Sequence, residues 1–132
     1  MEAILPIVDM IAAKLATIAV ILVVLKFVLI RTKMTRITAF FQRIHRPVSY
    51  FILFFALLHG VSSLHAFQEV DLFVYFLGLL SFISVLATIG THVIKEKLDQ
   101  AWMKWHRIFT VITLIILAVH LIFGFIAYFS LK

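Results

Sequence analysis

The 132-residue chain is 64% hydrophobic and only 14% charged, where a soluble domain carries about 25% charged residues. There is too little polar surface to cover the apolar mass, which argues against a soluble domain and for a single membrane domain over residues 1–132. The net charge of +6 does not signal nucleic acid, because the cations sit between apolar runs, and the absence of Cys removes disulfides, iron–sulfur ligation and thiol-attached haem.

A helix needs about 20 apolar residues to cross the hydrocarbon core. Four runs reach that length: residues 11–30, interrupted by Lys26, then 47–64, 72–94 and 108–128. Lipid satisfies no backbone group, so runs this apolar are expected as helices. The fold class expected is all-α, an integral membrane four-helix up-down-up-down bundle. The chain opens with Glu2 and Asp9 rather than a basic segment, and no small-residue cleavage site follows a short apolar core. The first span is therefore expected to be retained.

Span one carries Lys14 and Lys26 near its two ends, where they can snorkel as anchors. The connection after it holds Arg31, Lys33, Arg36, Arg43 and Arg46 with no acid. Proline suits a first helical turn and breaks a helix interior. Pro47 thus predicts that span two begins near Arg46, with His45 on its entering turn. The next connection carries only Glu69 and Asp71. In span three, Ser81, Ser84, Thr88 and Thr91 form a small-residue stripe at helical spacing. That stripe suits close helix packing and equally leaves room for a flat macrocycle. The third connection holds Lys95, Lys97, Lys104 and Arg107 against Glu96 and Asp99, and Trp102 and Trp105 sit where an interfacial aromatic belt falls. By the positive-inside rule the first and third connections are cytoplasmic, with both termini outside. The expected location is a bacterial or archaeal inner or plasma membrane.

Of the six histidines, four repeat a pattern: His45-Arg46 followed by His59, and His106-Arg107 followed by His120, each pair fourteen positions apart. Fourteen helical residues turn about 1400° and rise about 21 Å, only about 40° short of whole turns. Both imidazoles of a pair therefore share one face, one near each membrane surface. Spans two and four run in the same direction in such a bundle, which sets His45 level with His106 and His59 level with His120. Two opposed imidazole pairs at two depths make two bis-histidine haem sites. Ionisable side chains in lipid are costly and usually functional. A zinc site wants four clustered ligands, and no Cys, Asp or Glu completes either pair. Arg46 and Arg107 suit haem propionates, since guanidinium pairs well with carboxylate; positive-inside topology explains them too. On the outer side only Lys14 and Lys132 offer cations. His65 is expected at the outer interface. His92 is expected as a loop-end residue, or as an alternative ligand at the inner depth.

His45-Arg46-Pro47-Val48-Ser49-Tyr50 with His59-Gly60, and Trp102-Met103-Lys104-Trp105-His106-Arg107 with His120, resemble the two haem-binding spans of ferric reductase-like transmembrane domains. That family includes ferric reductases, the membrane part of NADPH oxidases and the haem subunit of the bacterial methionine sulfoxide reductase system. The resemblance covers residues 42–123. It implies two haem b groups, electron transfer across the membrane, and axial-ligand roles for His45, His59, His106 and His120. The chain departs from the family in Pro47, in Thr110 where Tyr is common, and in having fewer spans. Respiratory cytochromes b also space histidines this way on two parallel helices.

Bis-histidine ligation saturates the iron, so such a haem passes electrons at its edge. The function expected is transmembrane electron transfer, ferric reductase-like, from a cytoplasmic donor to an outer acceptor, as a component of an oxidoreductase. Direction rests on the family analogy. No nicotinamide or flavin fingerprint exists, so the donor is a separate flavoprotein or a quinol. The acceptor is ferric iron, oxygen or a periplasmic protein. The partners expected are these and the lipid bilayer, with homo-oligomers allowed and no nucleic acid. Two alternatives remain: a haem-bearing, quinol-oxidising anchor subunit of a larger redox complex, and a haem-free transporter or assembly protein using the histidines for protons or metal.

Overall fold

The computed structural model describes residues 4–30 and 35–130. Glu2, Arg31, Lys33 and Lys132, which enter the charge argument above, lie outside the described residues. The helices are α1 (Ile4–Ile30), α2 (Thr35–Ser62), α3 (Leu72–Val93), the short α4 (Lys95–Leu98) and α5 (Trp102–Ser130), with 3-10 turns at Ser63–Ala66 and Asp99–Ala101. The chain is all-helical over the described residues, and α1, α2, α3 and α5 are long and apolar enough to cross a membrane. It divides into two compact units, Met1–Ser63 and Leu64–Lys132.

The first unit is the α1–α2 pair, and it runs antiparallel. Asp9 near the start of α1 meets His59 near the end of α2, while Leu22 and Lys26 of α1 line a cleft with Phe41 and His45 of α2. Ala12 and Ala19, two turns apart on one face of α1, are buried, as is Ile52 of α2. Alanines at this spacing let two backbones approach closely, the device that packs helices where no hydrophobic force separates them from lipid. The other faces stay apolar and exposed, with Ile18, Ile21 and Val28 on α1 and Phe51, Phe54 and Val61 on α2. A surface of that kind suits hydrocarbon rather than water.

Two sequence expectations are corrected here. Helix α1 begins at Ile4 rather than near Ile11. Pro6 lies in its opening turn, where a missing N–H costs nothing, so Asp9 sits within the helix. Helix α2 begins at Thr35, and Pro47 lies inside it, so His45 is an interior helical residue rather than part of an entering turn. Proline removes one backbone bond, the one to the Arg43 carbonyl. The helix continues across it because Phe41, Ile44 and His45 pack against the end of α1.

The second unit is the α3–α5 pair, also antiparallel. Thr88 and Thr113 hydroxyls lie 3.0 Å apart, and Phe73 meets Phe123 edge-on at 5.2 Å. The small-residue stripe of α3 faces α5: Ser81, Ser84 and Thr91 are buried, and Thr88 and Thr91 contact Thr113 and His106. Close packing, one of the two compatible roles expected for the stripe, is seen here. Ser84, Thr88 and Thr91 hydroxyls donate to carbonyls of the preceding turn, which keeps these polar groups satisfied in an apolar setting. Asp99, at φ 46°, makes the sharp reversal before α5; Asp is one of the few side chains that visits positive φ.

Asp71 caps α3, its side chain accepting from the Phe73 N–H at 2.8 Å. Asp71→Ala should lower stability by about 1 kcal/mol, the usual cost of losing such a cap. Thermal unfolding in detergent measures it; an unchanged midpoint would mean the α3 start is held by its packing alone.

Candidate functional site

The spacing argument predicts one shared face for each histidine pair, and within each hairpin that is where the histidines lie. His45 and His59 of α2 both face α1. His106 and His120 of α5 both face α3.

His59 Nδ1 lies 2.7 Å from Asp9 Oδ1, with the two side chains 31% and 22% exposed. Ser62, one turn on from His59 and 2% exposed, places its hydroxyl 3.2 Å from the same carboxylate oxygen and 2.7 Å from the Leu58 carbonyl. An ionised carboxylate only accepts. Beside such an oxygen His59 donates from Nδ1, and in its neutral form the lone pair is then on Nε2.

His106 reaches the same tautomer by another route. Its Nδ1 lies 3.0 Å from Thr91 Oγ1 and 3.2 Å from the Thr88 carbonyl. The Thr91 hydroxyl already donates to that carbonyl at 2.7 Å. All three contacts are satisfied together only when Nδ1–H donates to both oxygens, which again leaves the lone pair on Nε2. The ring also stands 6.2 Å from Trp102, which stands 6.0 Å from His92.

His45 shares a cleft with Leu22, Val23 and Lys26 of α1. His120 lies against Gly78: a Cβ there would stand 3.1 Å from its Cε1, 3.6 Å from Nδ1 and 3.7 Å from Nε2. A methyl group there would need the ring to give by a few tenths of an ångström.

A haem axial ligand needs a neutral imidazole that offers one nitrogen while the other is held by a carboxylate or carbonyl. The Nδ1 contacts of His59 and His106 are of that kind, with two different acceptors, so these two residues fit haem ligation. Among the described residues no group of three or more His, Asp or Glu side chains could hold a metal ion by itself. Arg46 and Arg107 are exposed beside His45 and His106. His65 is exposed in the turn that ends the first hairpin, and His92 closes α3.

Sequence reasoning missed Asp9, Ser62, Gly78 and the Thr88–Thr91 pair as partners of the histidines. A signal existed for Asp9, an acid embedded in an otherwise apolar helix. It also existed for Gly78, a glycine in a helix interior. The threonines carried none, since only the α3–α5 register sets them against His106. In comparisons with known proteins no family model matches this chain, and no curated protein and no solved structure matches it.

Proposed function

We propose that this chain is an integral membrane cytochrome of ferric reductase-like type that carries electrons across the bilayer on two b-type haems. His45, His59, His106 and His120 are their axial ligands. The observation that carries the reading is the repeated His-Arg pattern with its second histidine fourteen positions on, in which each pair occupies one helix face and one member of each pair has its Nδ1 proton held by an acceptor. Four long apolar helices with exposed hydrophobic faces support the membrane setting.

Haem, once bound, would supply a one-electron carrier. The chain's own residues do the rest. Asp9 and the Thr88 carbonyl fix the tautomers of His59 and His106 and so present Nε2. Gly78 gives the His120 ring its place. Arg46, inside α2, and Arg107, in the second turn of α5, would offer guanidinium groups to propionates, on the side that positive-inside topology assigns to the cytoplasm. A flavoprotein or quinol donates there, and an outer acceptor takes the electron.

The test is the ultraviolet-visible spectrum of the full chain expressed with ample haem, oxidised and dithionite-reduced, with a pyridine haemochrome count. The expected result is two haems b per chain with sharp low-spin bands. A colourless protein would overturn the reading. It would favour the haem-free alternative, for which the Asp9–His59 pair is the relevant observation: a carboxylate and an imidazole hydrogen-bonded within a membrane-type hairpin are a ready proton-handling unit.

A further inference from the structure

Helix α1 places an acid against one histidine of α2. The His59 Nδ1–Asp9 Oδ1 distance of 2.7 Å is that of a charge-assisted hydrogen bond. The other anchored imidazole, His106, donates to two neutral oxygens at 3.0 and 3.2 Å. The other histidine of α2, His45, has Lys26 in its cleft. His59 thus has a carboxylate at hydrogen-bond distance from its Nδ1.

We propose that Asp9 is a positioning residue that lowers the reduction potential of the haem His59 ligates, so that this haem is the low-potential member of the pair. The inference rests on the haem reading above. A carboxylate that accepts Nδ1–H draws the proton toward itself and gives the imidazole partial imidazolate character. Nε2 then becomes a stronger donor to the iron. A stronger donor and a nearby negative charge both favour ferric over ferrous iron, and second-shell hydrogen bonding is one of the main ways a protein tunes a haem. In the half-reaction one electron would pass from a redox mediator into the ferric haem, and no bond to the iron would break.

The consequence is a built-in asymmetry. At equilibrium a single electron on the chain resides on the haem away from His59. Filling the His59 haem then requires a strongly reducing donor, and an electron leaving from it is correspondingly strongly reducing.

The test is a mediated redox titration of the full haem-loaded chain, read in the α-band, for the unsubstituted protein, Asp9→Asn and Asp9→Glu. The unsubstituted protein should titrate in two steps. Asp9→Asn keeps the shape and a neutral acceptor but removes the charge. It should move only the lower midpoint, upward, by at least tenfold in the reduction equilibrium, or about 59 mV for one electron. Asp9→Glu keeps the carboxylate and should retain the low step, which also checks that the site tolerates substitution. Two haems with both midpoints unmoved in Asp9→Asn would overturn the inference while leaving the haem reading intact. Equal movement of both midpoints, or an Asp9→Glu midpoint displaced as far as that of Asp9→Asn, would overturn it as well. An unsubstituted protein that binds no haem would overturn both.

Discussion

Replacing His59 or His106 with alanine should cut the haem content from two per chain to one, because each removes an imidazole whose ring nitrogens are already oriented for ligation. The lone pair on Nε2 follows from the Nδ1 contacts to Asp9 at 2.7 Å and to the Thr88 carbonyl at 3.2 Å. Asp9, Thr91 and the Thr88 carbonyl all meet these rings at Nδ1. A pyridine haemochrome assay on the purified variants measures the loss directly. His65→Ala is the matched control, since His65 is exposed in the Ser63–Ala66 turn, and it should retain both haems. Full haem content in His59→Ala and His106→Ala would remove these two residues from the ligand set.

Gly78→Val should have the second largest effect, and it separates packing from ligation. A Cβ at this position already meets His120 Cε1 at 3.1 Å, and valine adds two further methyls. The imidazole must then move or α3 and α5 must part, and forced overpacking of this kind costs about 1–3 kcal/mol. Thermal unfolding in detergent should show a lower midpoint, and the haem count should fall toward one because His120 loses its seat. Gly78→Ala is the milder comparison, with alanine's better helix propensity of about 1 kcal/mol set against the same contact. Native stability and two haems in Gly78→Val would show that His120 does not depend on this close approach.

Much of this protein was readable before its structure. Four apolar runs could only be helices, because a backbone in lipid must satisfy its own hydrogen bonds. The fourteen-residue spacing required each histidine pair to share a helix face, since helical geometry leaves no other outcome. Helix ends were less legible. Pro47 reads as a start signal, yet α2 continues through it because side chains on both sides of the proline pack on α1. Asp9 reads as a residue before the membrane span, yet α1 already encloses it.

Only tertiary structure decided what each histidine touches. Asp9 and His59 are fifty positions apart, and nothing local links them; the antiparallel register of α1 against α2 sets them at hydrogen-bond distance. The register of α3 against α5 likewise brings the Thr88 carbonyl and Thr91 hydroxyl to His106 and the bare backbone of Gly78 to His120. Periodicity is a property of one helix and is written in its own residues. The choice of acceptor behind each imidazole belongs to a pair of helices, and close packing of alanines, serines, threonines and a glycine along their seams determines it.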